Sequence, residues 1–187
     1  MDAIQLIRRL DQHRRWVNSN LLAAAAELND EQQRQTFPIG QGSIWKTLMH
    51  LYAAEYQWLN ALQGNESPLV PGDLPGKIPG NQLGEGGIRD LADLREKWSE
   101  LEKGWDAVLD SLTSESLEDT VYKVITSDPA KGKFGTKRSD ILLHVCTHSQ
   151  YTTAQMINML RHCGVERLPQ TMLIALARLE TTAAGKS

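Results

Sequence analysis

The clearest helical pattern in the chain lies in residues 88–112, IRDLADLREKWSELEKGWDAVLDSL. Its apolar side chains recur at alternating intervals of three and four residues, which places them on one face of a helix. That face comprises Leu91, Leu94, Trp98, Leu101, Trp105, Val108 and Leu112. A helix with one long apolar stripe must bury that stripe against other elements, so the segment predicts a helical bundle.

Two segments before this one show the same periodicity. Residues 3–28 carry apolar side chains at helical spacing and predict a first helix. The breaker-rich segment that follows ends at Ser43, a residue type suited to an N-cap, and residues 44–63 predict a second helix that stops at Gly64. The 88–112 segment is therefore the third helix of the chain.

A fourth long helix is predicted from a Ser139 N-cap to about Cys163, with Gly164 as its C-terminal stop. Pro169 is suited to the first position of a last short helix, which we predict to end at Arg178. We expect residues 181–187 to form a disordered tail and residues 1–180 to form a single domain.

The connections complete the predicted architecture. Residues 64–87 are rich in proline and glycine and lack periodicity, and so long a loop is uncommon unless it crosses a bundle or covers a site. Residues 120–126 are β-branched and aromatic, and the turn at 128–132 leads into a second short strand at 133–136. The sequence predicts an all-α four-helix bundle with a long crossover loop, a small β-hairpin between helices three and four, and a short C-terminal helix.

Composition narrows the classes of partner and the compartment. The net charge of -3 gives no general attraction to nucleic acid, and we interpret the basic residues Lys131, Lys133, Lys137 and Arg138 as a solvated turn. The longest apolar run, residues 21–26, is too short to span a membrane, which needs about 20 residues. Cys146 and Cys163 fall in one predicted helix roughly 25 Å apart, too far for a disulfide. We expect a cytoplasmic protein.

Two histidines on the fourth helix suggest chemistry. His144 and His148 are four residues apart, on the same helical face as Ile141 and Val145, so we expect both imidazoles to point toward the bundle interior. Such a pair can supply two nitrogen ligands to Zn²⁺ or a similar ion. Alone, the pair is equally compatible with two hydrogen-bonded core histidines.

His50 makes a metal site the favoured interpretation. It lies in the second helix beside the apolar stripe, at a similar depth to the pair if the helices pack side by side. His13 and His162 have simpler interpretations as a solvated residue and a residue that complements a helix dipole. Three protein ligands leave at least one coordination position for water or substrate, as in catalytic sites, although a structural ion is the alternative.

Two segments resemble the DinB/YfiT-like superfamily of metal-dependent enzymes. Residues 48–59, LMHLYAAEYQWL, are similar to its helix with a histidine, an acid five residues later and a tryptophan. Residues 140–155, DILLHVCTHSQYTTAQ, are similar to its two-histidine helix. The resemblance implies a four-helix bundle, often a homodimer, with nickel or zinc held by His50, His144 and His148.

The resemblance also implies a range of activities. Characterised members of the superfamily include transferases and isomerases that use low-molecular-weight thiols. Many relatives carry a further histidine where this chain has Thr152, so the identity of the helix-four ligands stays open, and Thr152 is a candidate to hydrogen-bond a bound water.

Two functional hypotheses follow. The first is an enzyme, a hydrolase or thiol transferase, in which the ion activates water or a thiol of a small-molecule substrate that enters beneath the 64–87 loop. Glu55 would orient a ligand in that enzyme. The second is a non-catalytic, stress-response bundle whose ion stabilises the fold, and a bundle without metal is a third possibility.

Overall fold

Six α-helices, two single-turn 3₁₀ helices and one two-stranded sheet make up the regular structure of residues 1–185, the part of the chain that the computed structural model describes. The bounds are α1 (Ala3–Ala26), α2 (Asp30–Arg34), α3 (Ile44–Leu62), α4 (Leu91–Asp110), β1 (Thr120–Val124), β2 (Lys133–Lys137), α5 (Arg138–His162) and α6 (Leu173–Ala184). The predicted all-α fold with a small hairpin is confirmed.

The four long helices pack as a ring in which α1 and α3 each contact both α4 and α5. The apolar stripe of α4 faces this ring, as its spacing predicts, and most of its members are buried: Leu94, Trp98, Leu101, Trp105 and Val108. Burial of such a stripe is the main contribution that a single helix makes to stability in a bundle.

The ends of the long helices follow local chemistry. Ser43 caps α3 as predicted, because its side chain accepts a hydrogen bond from the backbone N–H of Lys46. The prediction of a Ser139 cap is wrong, since α5 begins at Arg138 directly after β2. The Arg138 N–H finds its partner in the Asp119 carbonyl across the hairpin, which replaces a side-chain cap.

The short helix α2 was not predicted. Asn29 and Gln32 form a capping box at its start, in which each side chain accepts a hydrogen bond from the backbone of the other. A helix of five residues is too short to show periodicity, so only the capping pair marks it in the sequence.

The last helix lies further along the chain than predicted. Before it, the Gln170 carbonyl accepts a hydrogen bond from Asn20, and the Thr171 carbonyl lies 2.9 Å from His13 Nε2. These contacts hold an extended segment against α1 and delay the start of α6 to Leu173. Residues 181–184, which we predicted as tail, complete α6, and the rest of the predicted tail at 186–187 lies outside the described residues.

The hairpin and the crossover loop lie together over one seam of the bundle. Strands β1 and β2 pair antiparallel, from Thr120 opposite Lys137 to Val124 opposite Lys133, and they contact α3 and α5 respectively. The loop joins the hairpin through the hydrogen bond from Val124 N–H to the Glu66 carbonyl. The α3–α5 seam is thus roofed by two non-helical segments.

No helix within residues 1–185 combines the length and the apolar character that a membrane-spanning helix requires.

Candidate functional site

A buried ionic cluster occupies the centre of the bundle, and we call it the central cluster: Asp11, Arg14, Asn18, Glu55 and Trp98. Glu55 is 2% exposed and Arg14 1%. Arg14 donates to both Glu55 and Asp11, while Asn18 Nδ2 and Trp98 Nε1 donate to Glu55 at 2.7 and 2.9 Å. Both oxygens of Glu55 are therefore hydrogen-bonded, and the cluster joins α1, α3 and α4.

The charge of Arg14 is compensated within this cluster. Burial alone would lower the pKa of Arg14, but the carboxylates of Glu55 and Asp11 outweigh burial and hold the pKa above its ordinary value. The guanidinium also lies 5.2 Å from the ring centroid of Trp105. An ion pair that is so fully enclosed holds the helices in register.

Glu55 was the acid that we predicted to orient a ligand, and the structure does not bring it to the histidines. Its hydrogen bonds within residues 1–185 go to Arg14, Asn18 and Trp98. The sequence does hold a signal for the central cluster. Arg14 occupies a position of the α1 stripe between Leu10 and Val17, where a charged residue needs a buried partner.

The three candidate ligands lie at the α3–α5 seam, and we call them the histidine cluster: His50, His144 and His148. The Nε2 atoms of His50 and His148 are 3.2 Å apart, and the ring centroids of His144 and His148 are 5.6 Å apart. His50 and His148 are half-buried and His144 is exposed. The prediction that the helix-four imidazoles point into the bundle interior is wrong, because they lie on its flank beneath the roof.

A backbone carbonyl fixes the orientation of His50. Its Nδ1 lies 3.0 Å from the carbonyl oxygen of Pro79, in the crossover loop. Because a carbonyl only accepts, this Nδ1 carries a proton, and in the neutral ring the Nε2 that faces His148 presents a lone pair. Histidines that bind metals are commonly held by such a hydrogen bond from the other ring nitrogen.

The separation of the two Nε2 atoms fits a shared metal ion. Two nitrogens bound tetrahedrally at about 2.0 to 2.1 Å from Zn²⁺ lie roughly 3.3 Å from each other. His50 and His148 show 3.2 Å. His144 is one turn from His148, with its ring edge-on to Trp58 at 5.6 Å. Within residues 1–185, no three histidine, cysteine or carboxylate side chains already stand in the arrangement that would hold one ion.

The surroundings of His144 and His148 favour the neutral form of both rings. Burial lowers the pKa of His148 to about 4, and the charges of His50 and His144 act in the same direction. The His144 side chain reaches the surface, but partial desolvation of its ring also lowers the pKa of His144. A neutral imidazole is the form that binds a metal.

A cavity of about 300 Å³ opens beside the histidine cluster. Its walls come from α3, α5, the hairpin and the crossover loop. Besides the three histidines, its most prominent side chains are Gln57, Trp58, Lys123, Thr126 and Phe134. The volume lies at the lower end of the range for small-molecule sites, so a ligand here is small.

One buried carboxylate organises the loop that carries Pro79. Asp73 accepts hydrogen bonds from Gly80 N–H at 2.7 Å and from Gln82 N–H at 2.9 Å, and it is 6% exposed. Gly80 has φ +84°, and a Cβ at this residue would lie 2.6 Å from the backbone of Met49. Asp73 and Gly80 together hold the loop against α3. Neither residue was predicted, because their roles depend on tertiary contacts.

Thr152, the other predicted contributor, lies on α5 one turn beyond His148 and is buried. Its proposed contact with a bound water stays a prediction. Lys123 and Pro79 were not predicted as site residues, because the hairpin and the loop reach the site only through tertiary packing.

No curated protein matches the chain. The sequence pattern of the DinB family, in contrast, matches residues 5–181 and so spans all four bundle helices, the loop and the hairpin. The chain therefore belongs to the DinB family.

Proposed function

We propose that this DinB-family protein is a metal-dependent enzyme in which His50, His144 and His148 hold a zinc or nickel ion. The observation that carries the proposal is the facing pair of His50 and His148 Nε2 atoms at 3.2 Å, with the His50 lone pair set by the Pro79 carbonyl. His144 is exposed on the same helix one turn away, and it would complete the set through a change of side-chain rotamer.

The bound ion would supply Lewis acidity that makes a water or a thiol a nucleophile near neutral pH. The remaining tasks belong to the chain. Pro79 orients His50, and the roof of loop and hairpin limits the access of bulk water. Trp58 and Phe134 provide apolar walls for a substrate.

A thiol nucleophile would come from the substrate. Burial raises the pKa of Cys146 to about 12, which keeps this thiol protonated. Cys163 follows the end of α5, roughly 22 Å along the helix from His148. Neither cysteine is suited to attack at the cavity, so we propose transfer to or from a low-molecular-weight thiol, or hydrolysis.

The test is metal content and metal-dependent stability. We expect about one zinc or nickel ion per chain in the wild type, and a large loss of that ion in His50→Ala and in His148→Ala. His162→Ala is the matched control, because His162 is exposed and stacks on Phe37 at the far end of α5. A wild-type protein that takes up neither ion when supplied with both would overturn the proposal.

One observation favours a non-catalytic metal protein as the second candidate. The side chains that line the cavity within residues 1–185 include no aspartate or glutamate to act as a general base. An ion that activates a thiol does not need such a base, whereas hydrolysis usually uses one. Four-coordinate zinc without an exchangeable water, seen by X-ray absorption and by cyanide titration of the cobalt-substituted protein, would favour the structural role.

A further inference from the structure

Lys123 is the cationic side chain of the cavity wall. It extends from β1 across α3, where its Nζ lies 5.1 Å from the ring centroid of Trp58. The ammonium donates one hydrogen bond, to the Val124 carbonyl at 3.2 Å, and the residue is half-buried. Lys123 therefore faces the same space as the histidine cluster.

This ammonium differs from the other lysines of the hairpin segment. Lys131 pairs with Asp128, Lys133 with Glu66 and Lys137 with Glu118. Within residues 1–185, Lys123 makes no ion pair with a carboxylate. The three paired lysines are exposed, whereas the unpaired one is half-buried.

A half-buried cation without a counterion is unfavourable, and the lowered pKa of Lys123 reflects this cost. Burial lowers the pKa of Lys123, and the contact with Trp58 compensates only part of the lost hydration. An anion in the cavity would complement the ammonium where hydration is weak, so the interaction would be stronger than on the surface.

The rest of the cavity indicates which anion fits. Within residues 1–185, the lining includes no carboxylate, no arginine and no second lysine, and Trp58 and Phe134 give the cavity an apolar wall. Phosphate sites usually offer a helix N-terminus, an arginine fork or several donors. A single ammonium beside aromatic rings matches a single negative charge attached to an apolar body.

We propose that the cavity binds a small organic carboxylate, with the carboxylate on Lys123 Nζ and the apolar part against Trp58 and Phe134. This carboxylate is the substrate class of the proposed function. The inference rests on that function only in assigning a reaction of the bound carboxylate to the histidine cluster. The binding of the anion itself does not require a metal.

The experiment uses the full chain and matched pairs of probes. Benzoate and phenylacetate are titrated against benzamide and phenylacetamide, which have similar shapes without the charge. The readout is the NMR shift of the Trp58 indole, with and without saturating zinc. We expect both carboxylates to bind more tightly than their amides in both forms of the protein.

Variants assign the binding to one residue. Lys123→Met keeps a long side chain that can pack on Trp58 but removes the charge, and we expect affinity for the carboxylates to fall roughly tenfold or more. Lys123→Arg should stay within a few-fold of the wild type. Lys133→Met is the matched control, because Lys133 contacts the Tyr122 ring at 4.9 Å and pairs with Glu66 outside the cavity.

The outcomes separate this proposal from the metal proposal. Binding that is present only with zinc and unchanged in Lys123→Met would mean that the carboxylate binds the ion, and it would overturn the Lys123 site. Amides that bind as tightly as carboxylates would also overturn it. Binding that depends on Lys123 in a protein that takes up no metal would support the anion site while the metal proposal fails.

Discussion

Two polar clusters contact α3, and they are built in opposite ways. At the inner face, Glu55 is enclosed and both of its oxygens are hydrogen-bonded. On the flank, His50 is half-buried, and its Nε2 faces another nitrogen beside an open cavity. The two residues are five positions apart, which places them roughly 140° apart around the helix.

Burial and pairing together indicate the role of a polar group. A fully buried charge must be compensated inside the protein, and a group that is so compensated has no capacity left for a ligand. A half-buried group with a free lone pair keeps that capacity, and a neighbouring cavity gives a ligand access. We therefore propose that the central cluster supports the fold and that the histidine cluster is the functional site.

The largest expected effect is at the central cluster. Glu55→Ala leaves the Arg14 guanidinium buried without one of its two carboxylates, and we expect a loss of about 3–5 kcal/mol in the free energy of unfolding. The exposed pair of Glu100 and Lys103 provides the control, and Glu100→Ala should cost less than about 0.5 kcal/mol. Urea denaturation measures both. A cost below about 1 kcal/mol for Glu55→Ala would remove the contrast between the clusters.

The next effect is at the contact between the loop and α3. Gly80→Ala adds a methyl group that would lie 2.6 Å from the Met49 backbone, whereas a Cβ at Gly76 would meet nothing within 4 Å. Both glycines have positive φ, so both variants carry a backbone cost of about 1 kcal/mol. We expect Gly80→Ala to cost roughly 1–3 kcal/mol more than Gly76→Ala in urea denaturation.

The same pair of variants tests the link from loop to histidine. Gly80→Ala should also lift Pro79 from His50, so zinc should bind about tenfold or more weakly than to Gly76→Ala in a competition titration. Equal zinc affinity in the two variants would show that the Pro79 carbonyl does not orient the ligand.

Features of the fold that depend on local sequence patterns were predictable, and features that depend on contacts between distant segments were not. The stripes of the four bundle helices are local patterns, and they gave the bundle with helix ends within a few residues. The start of α5 depends on a hydrogen bond from Arg138 to Asp119 across the hairpin, which no local pattern contains. The delayed start of α6 depends in the same way on contacts with α1.

The site shows the same division. The spacing of His144 and His148, together with His50, was enough to propose these three residues, and the structure brings His50 and His148 together. The sequence did not show that His144 and His148 lie on the flank of the bundle. His144 is adjacent in sequence to the apolar Val145, so the helical periodicity did not separate the flank from the buried face. Lys123 enters the cavity only because the hairpin folds over α3, so it was missed.

A smaller effect is expected at the centre of the loop. The Asp73 carboxylate accepts hydrogen bonds from both Gly80 and Gln82. Asp73→Asn replaces one of its two acceptor oxygens by a donor, so at least one of these hydrogen bonds is lost. We expect a loss of about 1–2 kcal/mol in the free energy of unfolding. Asp128→Asn is the control, because within residues 1–185 the Asp128 carboxylate makes one ion pair, an exposed one with Lys131, and the change should alter stability by less than about 0.5 kcal/mol. An equal effect in the two variants would show that the loop does not depend on Asp73.

The smallest effect on stability is expected for His148→Ala in the absence of zinc. In the zinc-free protein, His148→Ala removes a half-buried ring whose partners within residues 1–185 are its two neighbouring histidines, so we expect a change below about 1 kcal/mol. With zinc at a hundred times its dissociation constant, the wild type should gain about 2.7 kcal/mol and the variant almost nothing. Thermal unfolding with and without zinc measures this difference. A large loss in the zinc-free variant would mean that the histidine cluster, like the central cluster, mainly supports the fold.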